Sequence, residues 1–434
     1  MANPYLPNWE YIPDGEPRVF GDRIYVYGSH DRKDSIDFCD YKLKVWSAPV
    51  SDPTKCHGDI FRSRDGHDSP SDVDWTDELL FAPDVVERGG KYYLYAYIVN
   101  AKGCVAVADR PEGPFRLLSR YEYDIPNHYD NGTFIDPGVL VDDDGRVYIY
   151  CGYQGSYMCE LKDNMYEAVP GSYKLDIIPT AEPHCFFEAC SPRKINGTYY
   201  LIYSPQRGSC LDYATSDSPT GPFTYRGTII DNGIDFPGGN DHGSVCCVNG
   251  QWYIFYHRMT NGTIMSRRGC VERIEILPDG TIPQVEMTSL GFEESLNPYD
   301  FTQADTACVL KGGCYITETS VFERPIVNVT DGCVMGWKYF DFGEDFASKT
   351  MQIRLKLRGT GSRGRVHVRL DSEDGEELGT VDFAEDSGTA GARIKAATGR
   401  HAVFLVAESG YEGWFAGEMK GRQLFMLDGF VIMK

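Results

Sequence analysis

Three acidic residues from distant stretches of the chain share one local setting. Asp14 lies in IPDGEP, Asp136 in FIDPG and Glu188 in FFEAC, each eleven residues ahead of a strand-like aromatic run at Tyr25, Val147 and Tyr199. His242, in NDHGS, stands at the same distance from Tyr253. Two carboxyl groups in unlike environments can cut a glycosidic bond with inversion. One gives a proton to the leaving oxygen and the other takes a proton from attacking water, with the pair roughly 6.5 to 9.5 Å apart. Glu188 is flanked by Phe186, Phe187, Ala189 and Cys190, so desolvation holds its proton on and suits it to the acid role. Asp14, between Pro13 and Gly15, suits the ionised base, with Glu16 as its competitor. Asp136 reads as a third, ionised carboxylate that raises the pKa of Glu188 and orients it. Taken singly, each has an ordinary reading: an ion pair with Arg193 for Glu188, a turn residue for the two aspartates. The common register is what argues for a site.

Other residues join the candidate set. His242 can ligate a metal or hold a water, and one imidazole suits calcium in a water-rich shell better than zinc. Such an ion would be structural, since the hydrolysis itself requires no cofactor. Arg267 and Arg268 in IMSRRGC can bring a cation to substrate hydroxyls. Phe81 and Trp75 are candidate sugar-stacking rings, and His30 and Asp31, at the end of the first segment, complete the candidate substrate-binding residues.

The elements that must gather these residues form a repeat. GEPRVFGDRIYVYGSHD from Gly15, FAPDVVERGGKYYLYAYI from Phe81, FIDPGVLVDDDGRVYIYCG from Phe134, FFEACSPRKINGTYYLIYS from Phe186 and NDHGSVCCVNGQWYIFYHR from Asn240 each read as a hairpin. Steps of 68, 54, 52 and 54 residues separate Asp14, Ala82, Asp136, Glu188 and His242, a length that suits a propeller blade. In a propeller the strand opening each blade can line the central channel, so equivalent positions converge in space. The expected fold is all-β: a five-bladed β-propeller over residues 1–295, then a β-sandwich of jelly-roll type over 296–434. The second unit is read from short strands such as MQIRLKLRG, GRVHVRLDS, GTVDF, HAVFLVAE and FMLDGFVI.

Composition narrows the partners. With 42 Lys and Arg against 64 Asp and Glu, the net charge of −22 repels nucleic acid and anionic membranes, leaving neutral ligands such as oligosaccharides and polysaccharides. Fourteen Cys without a CxxC pair read as reduced, mostly buried thiols. Together with a polar start lacking a signal peptide's apolar region, they lead to the expectation of a cytoplasmic protein.

NPYLP near the start, PDG at Asp14, FAPD at Asp84, IDPG at Asp136, FFEACSPRK at Glu188 and DHGSV at His242 together resemble glycoside hydrolase family 43, in the clan of five-bladed propeller glycosidases. The likeness runs from about residue 3 to residue 290. It implies hydrolysis by inversion, with Asp14 as general base, Asp136 as the pKa-modulating acid and Glu188 as general acid. It also implies a channel histidine at His242, near calcium or water, and a substrate-binding arginine at Arg267 or Arg268, with Arg268 preferred. Where many members carry Asp-Pro and Trp-Ala-Pro, this chain has Asp14-Gly15 and Phe81-Ala82-Pro83. VTDGCVMGWKYFDFG, RVHVRLDSEDGEELGTVDF and LDGFVI resemble carbohydrate-binding module family 6. The implied activity is that of an exo-acting α-L-arabinofuranosidase or β-D-xylosidase trimming plant cell-wall xylan, arabinoxylan or arabinan fragments. An endo-arabinanase and a noncatalytic sugar-binding propeller are the alternatives.

Overall fold

The computed structural model describes residues 2–49, 55–64, 71–99, 102–120, 135–344 and 348–434; Phe134, which opens the third repeat segment, lies outside them. Among the described residues, helix is confined to Trp414–Met419 and a 3-10 turn at Ala304–Thr306, and the protein is all-β. Five antiparallel sheets follow one another along the chain, each with its strands in sequence order. They comprise β1–β4 (Glu16–Phe20, Arg23–Gly28, Lys42–Pro49, Lys55–Arg62), β5–β8 (Leu80–Arg88, Lys91–Ile98, Lys102–Ala108, Arg116–Arg120) and β9–β12 (Gly138–Val141, Val147–Cys151, Tyr157–Leu161, Lys174–Leu175). Next come β13–β16 (Phe186–Ile195, Thr198–Pro205, Cys210–Ser216, Thr224–Asp231) and β17–β19 (Ser244–Val248, Gln251–Thr260, Thr263–Ile274).

Burial explains why the aromatic runs become strands without alternating. Every residue of β10, and all but the first of β14, is buried, because each inner strand is covered on both faces by neighbouring sheets. The outer strand β8 has no buried residue. The opening strands pack against one another around a ring: β1 against β5, β5 against β9, β9 against β13, and β17 back against β1. Between the fourth and fifth sheets the Ser191 hydroxyl donates to the Ser244 hydroxyl at 2.6 Å. This arrangement is consistent with the expected propeller.

Two guanidiniums tie sheets of the ring together. Arg18 of β1 grips Asp84 of β5 at 3.0 and 2.6 Å and donates to the Val139 carbonyl of β9. Arg193 of β13 binds Glu16 of β1 at 2.8 Å and the Val245 carbonyl of β17 at 2.9 Å. The glycine of IDPG has a steric reason: a Cβ on Gly138 would stand 2.2 Å from the Cys190 carbonyl oxygen, so only glycine lets β9 approach β13 so closely.

Two further sheets follow. One joins Tyr315–Ile316, Ile326–Val329, Phe425–Met433, Thr350–Gly359 and Thr389–Lys395 in that order, with Thr302–Gln303 also paired to Phe425–Met433. The other joins Val309–Lys311, Val334–Asp341, Arg400–Ser409, Gly364–Leu370 and Glu377–Phe383. Their strands do alternate: Met351, Ile353, Leu355 and Leu357 are buried between exposed Gln352, Arg354 and Lys356, the period-two pattern of a sheet with one wet face. Ser295 falls in the stretch between Ile274 and Thr302 that contributes no strand to these sheets. One apolar core runs from Ile202 and Ile254 of the ring through to Trp337 and Phe430 of the later sheets. All fourteen Cys are free thiols, buried except for Cys56 and Cys247.

Candidate active site

The backbone around the strand openings takes up left-handed conformations at several positions. Asp14, Ala82, Asp136 and Ala189 all have positive φ, at 57°, 34°, 52° and 68°. These left-handed residues are costly for side chains other than glycine, and strain of this kind clusters at functional sites. Their effect here is to turn Asp14, Asp136 and Glu188 into one cavity of about 210 Å³, whose wall also includes Phe81, His242 and Arg267. A larger cavity of about 620 Å³ lies beside it, and Glu188 and Asn240 belong to the walls of both.

The three carboxyls have different surroundings. Asp14 accepts from the Ser29 hydroxyl at 2.6 Å and from Arg267 Nη1 at 2.9 Å, while its backbone N–H donates to His257 Nδ1 at 3.2 Å. Burial alone would raise its pKa, but Arg267, His242, His257 and Ser29 together hold it below the ordinary aspartate value. Glu188 goes the other way: burial first, then the charge on Asp14, lift it to about 7. Asp136 is also pushed well above its usual range by burial, by Glu188 and by Asp14. The expectation of an ionised Asp136 is therefore corrected. Three carboxyls cannot all be charged in so small a dry space, and burial favours the protonated form at both Asp136 and Glu188.

Arg267, which aligns this set, sits on β19 directly opposite Met259. Its Nε and backbone N–H both donate to Asp31 Oδ2 at 2.9 Å, Nη2 donates to Asp31 Oδ1 at 2.9 Å, and Nη1 reaches Asp14. Asp31 thus acts through the arginine and does not line the cavity. Burial drops His257 to a pKa of about 3, so the ring is neutral, accepts at Nδ1 from Asp14 and donates from Nε2 to Asn240 Oδ1 at 3.2 Å. Asp241 Oδ1 accepts the backbone N–H groups of His242 and His257, pinning the turn before β17 to β18.

The other sequence expectations fare unevenly. Phe81 joins the wall as expected. Arg268 does not: consecutive strand residues face opposite ways, and Arg268 turns from the cavity to meet Asp305 at 3.1 Å. Trp75 packs on the core of the first two sheets with the Arg120 guanidinium 4.5 Å above its ring, and His30 is engaged by Asp40 at 3.0 Å; neither lines the cavity. Glu16, the rival base, is taken by Arg193, which also leaves Glu188 without that partner. His242 Nδ1 faces Asp14 and Asp136 at 3.7 and 3.8 Å, and among the described residues no group of three or more His, Cys, Asp or Glu is arranged to hold a metal. Among the described residues the expected channel calcium thus meets no ready-made cage of protein ligands beyond the single imidazole of His242, and no step is assigned to an ion. Sequence reasoning missed His257, Asn240, Asp241, Phe38 and Tyr153, which stand outside the shared register and carry no spacing signal.

A ring of sheets that delivers one carboxyl held down and two driven up into a sugar-sized cavity is the equipment of a glycoside hydrolase. The profile of glycosyl hydrolases family 43 matches residues 24–282, and the chain belongs to that family. It is 38% identical to a xylosidase/arabinosidase of Thermoclostridium stercorarium over 93% of this chain and 95% of the relative. A beta-xylosidase of Xylanibacter ruminicola is 30% identical over 66% of this chain and its whole own length. Among solved structures, a family 43 enzyme of Xanthomonas citri complexed with xylose aligns with a TM-score of 0.54 at 27% identity, covering 66% of this chain and 93% of its own. An arabinoxylan arabinofuranohydrolase of Bacillus subtilis, in complex with cellotetraose, spans 100% of this chain and 97% of its own with a TM-score of 0.55, a likeness of fold at 23% identity. Enzymes of this family need no cofactor for catalysis.

Proposed function

We propose that this protein is an inverting, exo-acting glycosidase that removes terminal pentose units, α-L-arabinofuranose in preference to β-D-xylose, from plant cell-wall oligosaccharides. In this reading residues 1–295 are a five-bladed propeller and residues 296–434 a jelly-roll sandwich of the carbohydrate-binding-module kind. The observation that carries it is the opposite displacement of two carboxyls in one cavity, Asp14 downward and Glu188 up to about 7. Asp14, ionised, takes a proton from water as the water oxygen bonds to the anomeric carbon. Glu188 gives its proton to the glycosidic oxygen as that bond breaks, and the two groups exchange protons with solvent to reset. Asp136, itself pushed well above the usual carboxylate range by burial and by Glu188, lines the same cavity as the third carboxyl. The cavity of about 210 Å³ falls below the roughly 300 to 1,000 Å³ of sites that engulf larger ligands, which suits a single sugar ring. The pentose itself is inferred from the xylosidase/arabinosidase relative.

The test combines two variants with two substrates. Initial rates on aryl α-L-arabinofuranoside and aryl β-D-xylopyranoside rank the sugars, and proton NMR of the first product reads the anomer. Asp14→Asn is expected to lose about 10²- to 10⁴-fold on every substrate. Glu188→Gln should lose as much on oligosaccharides but far less on a dinitrophenyl glycoside, whose leaving group needs no proton. Wild-type rates in both variants, or a retained anomer, would sink the reading.

A further inference from the structure

Strands β18 and β19 form a ribbon with two unlike faces. His257 and Arg267 turn toward the catalytic cavity, while their sequence neighbours Arg258 and Arg268 turn to the opposite side. Arg258 and Arg268 are direct cross-strand partners and are 0% and 2% exposed, so two guanidiniums face each other in a dry space. Like charges directly opposite on a sheet repel, and burial makes the repulsion costly. What meets them comes from the chain beyond the ring. Arg268 Nη1 binds the Asp305 carboxylate at 3.1 Å, and Arg258 donates to the carbonyl oxygens of Asp305 and Ala307. Asp305 is 4% exposed and sits in the 3-10 turn at Ala304–Thr306, on a segment whose preceding Thr302–Gln303 pairs with the later sheet.

We infer that Asp305 is a positioning residue for the hydrolysis: by setting its carboxylate against Arg268 and its backbone carbonyl against Arg258, the C-terminal region holds β19 so that Arg267 stays seated on Asp14. The inference rests on the reading of Asp14 as the base. Arg267 and Arg268 are adjacent on one backbone, and the Arg267 N–H is itself bonded to Asp31. Without the Asp305 charge, two uncompensated buried cations on one face must draw in water or part the strands. Either adjustment moves the peptide that carries Arg267, and small displacements of a charged group in an active site are expensive.

The full-length protein tests this with two variants. Asp305→Asn keeps the shape and removes the charge; the double variant Arg268→Met with Asp305→Leu removes both members of the pair. Circular dichroism and melting establish that each is folded before kinetics on the aryl arabinofuranoside. The expected result for Asp305→Asn is a loss of about 10- to 100-fold in kcat/KM. Its acidic pH limb should rise by on the order of one unit, because Asp14 loses its principal cation. Asp14 is faced by Arg267 from β19, His257 from β18, His242 before β17 and Ser29 after β2. Asp31 lies behind Arg267, and Asp136 and Glu188 lie across the cavity, so a displaced Arg267 is not replaced by another full positive charge. A variant that had merely lost stability would keep the wild-type limb on its folded fraction. The double variant should recover most of the rate and the original limb. Wild-type kcat/KM and limb in Asp305→Asn would overturn the inference, as would a double variant as impaired as the single one. An inactive wild type would overturn the functional reading and this inference together, whereas an active wild type beside an unaffected Asp305→Asn removes only the latter.

Discussion

At the scale of residues, the site is a problem of where one proton resides. Asp14 is held ionised by Arg267, His242, His257 and Ser29, while Asp136 is pushed up by burial, Glu188 and Asp14, and Glu188 by burial and Asp14. A general base whose pKa is lowered works throughout the neutral range and fails only as pH falls through that lowered value. A general acid whose pKa is raised works below that value and fails as pH rises through it. The expected profile of kcat/KM is therefore a bell whose acidic limb lies below the ordinary aspartate range. Its alkaline limb lies near the value of about 7 for Glu188, read as an apparent constant of the Asp136–Glu188 pair. Rates measured from pH 3 to 10 on one aryl glycoside check this, and activity undiminished well above neutrality would contradict it. The three acids were legible in the sequence because they share a register. Arg267 was not. Strand β19 is buried on both faces around residues 266–271, so no polar–apolar alternation marks which of two adjacent arginines faces the cavity.

At the scale of elements, the five hairpins and the later alternating strands follow from local pattern, and the glycines at their turns from left-handed backbone. What joins the hairpins into a ring does not. Arg18 and Asp84 are 66 residues apart, and Arg193 and Glu16 are 177 apart. Each looks like an ordinary surface charge in its own segment, and only the convergence of opening strands makes it a buried clasp. Asp84 is the clearest case: fully buried, it takes Arg18 at two oxygens and the Val139 N–H at 2.7 Å, so three sheets meet on one carboxylate. Asp84→Asn leaves the Arg18 cation without its counter-charge and sets an amide against an N–H. Removing one partner of a buried pair costs about 3–5 kcal/mol. Calorimetry should register this as a Tm lower by about 3–6 °C in a chain of this length. An unchanged Tm would show that the ring does not depend on this clasp.

At the scale of the whole molecule, the placement of Glu188 between two cavities of unequal size bears on which substrates are favoured. A group that protonates the leaving oxygen must stand at the cut bond, so the sugar removed and the remainder of the chain lie on its two sides. With Glu188 proposed as that group, the smaller cavity is expected to take the removed ring. The larger one, of about 620 Å³, then receives the leaving portion against Phe187, Gln154 and Gln206, a wall that offers a ring face and neutral amides in place of cations. Such lining suits an uncharged oligosaccharide, in keeping with a protein whose net charge of −22 disfavours anionic ligands. Contacts remote from the cut bond accelerate it only where they strengthen in the transition state, and they are lost when the substrate is truncated. The expected consequence is a kcat/KM that rises with leaving-group length. From a pentose linked to one sugar to the same pentose linked to two or three, the gain should be about tenfold or more, then level off once the larger cavity is filled. Gln206→Ala should flatten that rise while leaving the rate on a simple aryl glycoside within a few-fold of wild type. Rates independent of length in the wild type would mean that the larger cavity takes no part in binding the leaving chain.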